Sequence, residues 1–273
     1  MLTSLSLLVS LGCLTGITTV LFGFGGGFVT VPVVYGVLTV AADPGSPGRD
    51  TDAMHVAVAT SAAVMVVNAA AAALAQWRQG RLHRAYIWPL AAFIAVGAVG
   101  GAFVATLVGG TALRLLFAVY LLVTIADSVL RKGFLSVTDQ ARPKALGRRT
   151  VTLGGVGIGL VAAGLGVGGS VMTVPLLRRR GLPMAEATAL ANPLSVPVAL
   201  AASLVYALAP AMPAGPGRLG YVDLPSAAAL LLGSLPAIAV ARRVTGRVPD
   251  RVHSVAYVAL LVVVLVVMVG MRP

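Results

Sequence analysis

The chain has 273 residues, 58% of them hydrophobic and 10% charged, with a mean hydropathy of +0.97. A soluble domain carries about 25% charged residues, and a soluble core of this size would leave far too much apolar surface in water, so lipid must be the solvent for most of the chain. The net charge of +12 is not a nucleic-acid signature, because Arg and Lys sit in short breaks between apolar runs, where membrane proteins keep cytoplasmic charge.

The N-terminal stretch MLTSLSLLVSLGCL lacks the basic n-region of a secretory signal and reads as the first membrane segment. Residues 2–40 hold a long apolar run, a break at 23–27 (GFGGG) and a short arm ending near Val40. Runs at 54–77, 85–108 and 112–130 follow, each long enough to cross a bilayer, which takes about 20 residues. After the polar stretch 131–149 comes a second interrupted region: an apolar piece at 150–165, the break GLGVGGS at 164–170 and an arm ending at Arg178. As helices its two pieces span about 24 Å and about 12 Å, whereas two crossings need about 60 Å. This predicts a re-entrant or broken hairpin that turns inside the membrane, with one continuous crossing helix as the competitor. Runs at 186–209, 225–241 and 252–271 complete the chain.

The two interrupted regions are copies. Residues 23–32 (GFGGGFVTVP) align with 166–175 (GVGGSVMTVP) at an offset of 143 without a gap. Looser matches follow: Ala59-Thr60-Ser61 with Ala187-Thr188-Ala189, Gly80-Arg81-Leu82 with Gly217-Arg218-Leu219, Gly97 with Gly233, and Arg114 and Tyr120 with Arg251 and Tyr257. The expected fold is all-α and polytopic. It has a first repeat over 1–131, a basic cytoplasmic linker over 132–149 and a second repeat over 150–273. Each repeat is a Gly-rich broken hairpin plus three transmembrane helices.

Charge sets the expected topology. If each hairpin returns to its starting side and the loop 78–84 is cytoplasmic, 16 of the 20 basic residues fall on that side, and only Arg49, Arg114, Arg218 and Arg272 lie outside. The outer loop 41–53 then carries Asp43, Asp50 and Asp52. If each interrupted region crosses once instead, the split is 11 to 9. The positive-inside rule favours the first arrangement. It makes the halves an inverted repeat, an architecture common among secondary transporters.

A helix broken in the membrane exposes backbone N–H groups and a positive dipole end, tolerable only where protein or a water-filled cavity covers the break. Glycine permits the sharp turn and the close approach of a ligand. Two arms whose N-termini face each other near the midplane make a site for an anion without a buried Arg or Lys, and no basic residue lies centrally in any run. The candidate substrate-binding residues are Gly25, Gly26, Gly27 and Thr30 of the first copy and Gly168, Gly169, Ser170 and Thr173 of the second. The two threonines offer hydroxyl donors, and Pro32 and Pro175 are expected to keep the arms short. The competing reading makes the glycines packing residues. Thr60 and Asn192 add polar candidates. Asn192 precedes Pro193, and Pro197 follows, so a kink is expected there; interhelical glue is its alternative role. Asn68 reads as glue. Glu186, in a first helical turn, is the ion-coupling candidate or a dipole partner. Asp127 is expected to pair with Arg131, and His55, His83 and His253 flank loops as solvated side chains. Cys13 is the only cysteine, and the three His and eight acids form no ligand-spaced cluster, so neither a disulfide, a metal nor a cofactor is expected.

The doubled motif GFGGGFVTVPVV and GVGGSVMTVPLL, each followed by an A-x-A-T helix and a G-R-L loop, resembles the TauE/SafE family of anion transporters over nearly the whole chain. The resemblance implies a multi-pass inner-membrane secondary transporter for sulfite, sulfonates or related organosulfur anions, coupled to protons or another ion. Motif positions carry over to Gly25, Gly26, Gly27, Thr30, Pro32, Gly168, Gly169, Ser170, Thr173 and Pro175. The second copy departs with Ser170 where a third glycine is common, and with ATALANP where the family usually has G-T-S. An anion channel and a membrane scaffold without transport activity are the rival readings. A membrane-embedded enzyme would need a cluster of His, acids or Cys that the sequence lacks.

Overall fold

The computed structural model describes residues 2–41, 49–80, 82–130, 134, 145–210, 217–243 and 248–271. Asp43, Arg81, Arg131, Lys132, Arg142, Lys144, Arg247 and Arg272 lie outside the described residues, as do the side chains of Arg49, Asp50 and Asp52. The helices are α1 (Leu2–Phe22), α2 (Gly27–Ala41), α3 (Arg49–Arg78), α4 (Arg84–Ile87), α5 (Leu90–Leu107), α6 (Gly110–Leu130), α7 (Gly155–Gly164, preceded by a π-helical turn at Thr150–Gly154), α8 (Ser170–Arg179), α9 (Met184–Leu208), α10 (Leu224–Ala241) and α11 (Asp250–Gly270). A two-stranded antiparallel ribbon, β1 (Arg218–Leu219) and β2 (Val222–Asp223), leads into α10. Among the described residues, six helices are long and apolar enough to cross a bilayer, at Ala53–Arg78, Arg84–Leu107, Gly110–Leu130, Met184–Leu208, Leu224–Ala241 and Asp250–Gly270. They coincide with the six runs expected. The protein is a polytopic all-α membrane protein.

Both interrupted regions break and turn back. After α8, Arg180 donates to the carbonyl of Ala145, which precedes α7 (3.3 Å). Leu7 and Leu11 of α1 line one groove with Gly36 and Val37 of α2. Each hairpin therefore ends beside its own start. Arg179 pairs with Asp127 at the end of α6, and Arg178 with Asp250 at the start of α11. Gln76 of α3 and Gln79 just after it share a small cavity with Ala185 of α9 and Arg242, which caps α10. These contacts gather Arg78, Arg84, Arg148, Arg149, Arg242, Arg243, Arg251 and residues 178–180 at one end of the bundle, here the basic end. The opposite end holds Arg114, which binds the carbonyls of Met268 and Met271 and caps α11. Trp77 and Trp88, 66% and 68% exposed near the basic end, match the aromatic belt of a membrane interface.

The halves exchange partners. α1 packs along α10 and α7 along α5, while α3 packs on α9. Glycine allows this closeness: a Cβ on Gly233 would fall on the Val9 carbonyl, and one on Gly159 on that of Ile94. Gly12 meets Leu230 as Gly155 meets Leu90, and Gly16 meets Ser234 as Gly159 meets Ile94. Equating 90 with 230 and 94 with 234 gives an offset of 140. Gly97 thus corresponds to Ala237, one turn from its sequence pairing with Gly233. Around the breaks, Val58 takes the place of Thr188, Met65 of Ser195 and Asn68 of Val198. That is an offset of 130, two residues from the pairing of Thr60 with Thr188.

Several side-chain expectations are corrected. α2 and α8 continue through Pro32 and Pro175, so these prolines do not end the arms. The N–H missing at Pro175 would have met the Val171 carbonyl, and the Tyr257 hydroxyl donates to it instead (3.2 Å). Asp127 pairs with Arg179, a partner not expected from the sequence; the expected one, Arg131, lies outside the described residues. His55 and His253 are 4% and 3% exposed rather than solvated, and each meets a carbonyl, of Ala105 and Leu21 respectively.

Candidate substrate site

Three left-handed glycines make the first break, Gly23 (φ +74°), Gly25 (φ +63°) and Gly26 (φ +87°), and one makes the second, Gly166 (φ +66°). Only glycine adopts this conformation routinely. The two breaks touch. A Cβ added at Gly27 would lie 2.8 Å from the Gly166 carbonyl oxygen, and one at Gly168 would lie 2.7 Å from that of Phe24. Between them, Ser61 Oγ lies 2.8 Å from the carbonyl oxygens of both Gly27 and Gly166. Behind the first break, Phe22, Phe24, Phe28 and Tyr257 pack with ring centroids 4.7–6.0 Å apart, fixing it against α11.

The first N–H groups of a helix have no intrahelical acceptor. At α2 the first backbone bond is from Thr30 N–H to Gly26, and at α8 those from Met172 and Thr173 to Gly169. Among the described residues, none of the backbone bonds outside the helices is donated by residues 25–29 or 168–171. All these residues are buried. Four side-chain atoms in the same region are buried without a partner: Asn68 Nδ2, Ser170 Oγ, Thr173 Oγ1 and Asn192 Oδ1. Unpaired buried polar atoms are uncommon, and each costs about 1–3 kcal/mol, so their concentration here marks a place built for something polar.

The candidates divide. Gly25, Gly26, Gly27, Gly168, Gly169 and Ser170 form the breaks, and Thr173 lies one turn into α8. Thr30 has its hydroxyl engaged by the Gly26 carbonyl (2.7 Å), so it is not the spare donor expected. Thr60 points away and accepts from the Asp223 N–H at the far end (3.0 Å). Asn192 donates to the Thr19 carbonyl (3.2 Å) and leaves its Oδ1 open. Glu186 stands in the first turn of α9, about 9 Å along the helix from Asn192, outside the break region. Asn68, read as glue, is both: its Oδ1 accepts from Ser234 (2.7 Å), and its Nδ2 would lie 2.7 Å from a Cβ at Gly26. Thr19 and Ser195 are further neighbours of the breaks. Thr19 was legible only as a hydroxyl one turn before Gly23.

The sequence is matched by the family model described as "Sulfite exporter TauE/SafE" over residues 8–268. A curated relative, "Probable membrane transporter protein" of Haemophilus influenzae, is 25% identical over 269 residues, covering 97% of each chain. No solved structure matches.

Proposed function

Because the chain belongs to the sulfite exporter TauE/SafE family of membrane transporters, we propose that it carries a small organosulfur anion, such as sulfite or a sulfonate, bound between the two breaks. The carrying observation is the pair of facing helix N-termini whose buried N–H groups lack acceptors. Each N-terminus is equivalent to roughly +0.5 charge, so two supply roughly +1 without a cation that would need its own desolvation. This balance suits a monoanion, hydrogensulfite or a sulfonate, better than dianionic sulfate. Gly25 and Gly26 let oxygen atoms reach the backbone; Ser170, Thr173 and Asn68 add donors. The two halves insert in opposite orientations, with the basic end in the cytoplasm, in keeping with the positive-inside rule. Substrate binds where they meet, and rocking of one half against the other exposes it alternately. No coupling step is assigned to Glu186, which stands outside the breaks.

The test is flux of labelled sulfite, methanesulfonate and sulfate in proteoliposomes, with and without a pH gradient. Saturable flux of the monoanions exceeding that of sulfate is expected, with at least a tenfold loss in Ser170→Ala/Thr173→Val. Absence of flux for all three anions overturns the proposal; passive, non-saturable conduction would make the protein a channel.

A further inference from the structure

α3 and α9 run antiparallel past the breaks toward the basic end, and their facing sides carry a polar and small-residue stripe. On α3 the stripe is Asn68, Ala72 and Gln76; on α9 it is Asn192, Ala189 and Ala185. Spacings of three and four residues keep each set on one helix face. Three atoms along it are buried and unpaired: Asn68 Nδ2, Asn192 Oδ1 and, nearest the basic end, Gln76 Oε1. A cavity of about 20 Å³ lies between Ala72, Gln76, Ala185 and Ala189, with Arg242 and Gln79 at its rim, large enough for one water. Arg242 is exposed, and no acidic partner meets its side chain among the described residues.

The equivalent positions toward the opposite end, at the offset of 130, are Val198, Ala202 and Tyr206 on α9 and Ala62, Ala59 and His55 on α3. There the polar atoms are closed off. Tyr206 is 0% exposed and donates to the Ala163 carbonyl (3.0 Å). His55 stacks on Tyr221, centroids 5.2 Å apart, and Tyr221 N–H donates to the Tyr206 carbonyl (3.1 Å). One scaffold therefore carries a polar seam on one side of the breaks and an aromatic plug on the other.

We infer that the anion reaches the breaks from the basic end, along the seam between α3 and α9, with Arg242 as the recruiting residue at its mouth, and that Tyr206, His55 and Tyr221 form the gate at the opposite end. This rests on the reading that the breaks hold an anion. Asn68 and Gln76 hand the solute between hydrogen-bonding groups, the alanines leave it room, and the guanidinium at the mouth raises local anion concentration in a salt-dependent way.

The test uses the full chain with Cys13→Ser, adding Ala189→Cys, Ala72→Cys or Ala202→Cys, in sealed vesicles of known orientation. A membrane-impermeant thiol reagent should modify Ala189→Cys and Ala72→Cys at least tenfold faster from the basic side than from the other and abolish sulfite flux. Ala202→Cys should react from the far side only when Tyr206→Ala is added. Arg242→Gln should raise KM for sulfite presented at the basic side three- to tenfold at low salt, with kcat within twofold; Arg242→Lys should restore it, and high salt should erase the difference. The inference is overturned if Ala189→Cys and Ala72→Cys are inert, react from the far side, or react without loss of flux, or if Arg242→Gln leaves KM unchanged. A protein that labels as expected yet moves no anion keeps the path and sinks the transport reading instead.

Discussion

At the scale of single residues, the two breaks share a left-handed glycine at their start, Gly23 and Gly166, but not the backbone that follows. Gly26 has φ +87°, and a Cβ there would lie 2.7 Å from Asn68 Nδ2. Gly169, its counterpart, has φ −57°, and its Cβ would meet Ile158 Cγ2 at 3.2 Å and otherwise make only ordinary contacts, with Val198 Cγ2 at 3.6 Å and the Leu194 carbonyl at 3.9 Å. Gly26→Ala should cost at least about 1–2 kcal/mol from the left-handed backbone alone, plus the collision, and abolish flux. Gly169→Ala should cost less than about 1 kcal/mol, since its right-handed backbone takes an alanine without strain and only the modest preference for glycine over alanine at an N-cap is lost. Thermal denaturation in detergent beside a flux assay separates the two, and equal loss of Tm would contradict the asymmetry. Arg178 gives a second residue-scale case. Its side chain is 0% exposed and bridges Asp250, the Phe134 carbonyl and Ser254. Breaking a fully buried pair costs about 3–5 kcal/mol. The Asp250 side chain is 41% exposed, so Arg178→Ala should cost about 2–3 kcal/mol after solvent screening, read as a Tm lowered by several degrees. An unchanged Tm would show that the pair contributes nothing to folding.

At the scale of elements, the arms α2 and α8 stay helical through their prolines, and in α8 the Tyr257 hydroxyl takes over the freed Val171 carbonyl. Tyr257→Phe should leave the Val171 carbonyl unpaired and lower stability by about 1 kcal/mol, with a larger proportional effect on flux because α8 carries Ser170 and Thr173. Normal flux and Tm would show the bond to be dispensable. Hydropathy made the six long helices legible, since spanning length is a one-dimensional property. The doubled motif located both breaks for the same reason. What stayed hidden depends on three-dimensional rotation. Thr60 and Ser61 are adjacent in sequence, yet helical geometry turns Ser61 to the breaks and Thr60 to Asp223. His253 flanks a loop in sequence, but the end of α1 covers it. The equivalence of α5 with α10 follows from glycine contacts between residues 65 apart in one case and 218 apart in the other, so inspection of the sequence left it a turn out. The same contacts predict that Gly16→Leu and Gly159→Leu are similarly harmful, because each would drive a side chain into a facing backbone carbonyl. Loss of folded protein for one but not the other would break the equivalence.

At the scale of the whole molecule, the exchange of α1 and α7 between halves ties the two breaks together: neither half can move its own break without dragging a helix packed on the other. The arrangement also fixes what a topology experiment must find. On the proposed topology both hairpins return to the end where they start, so residues 41–53 and 210–224 are expected on one side of the membrane, and 131–149 on the other with loop 78–84. Reporters in 41–53 and 210–224 should both score outside, and one in 131–149 inside. Had the second Gly-rich region crossed fully, the 210–224 reporter would score inside with 131–149 while 41–53 stayed outside; a full crossing of the first would change only the side of the N-terminus relative to loop 78–84. The charge pattern and the packing bear on this independently, one through basic side chains near the cytoplasmic surface, the other through contacts such as Arg180 with Ala145. Split reporters would leave the Arg180 contact without a membrane-compatible path and would remove the reason for the two helix N-termini to face each other across Ser61. The anion site and the topology therefore stand or fall together, and the reporters can be scored without knowing the substrate.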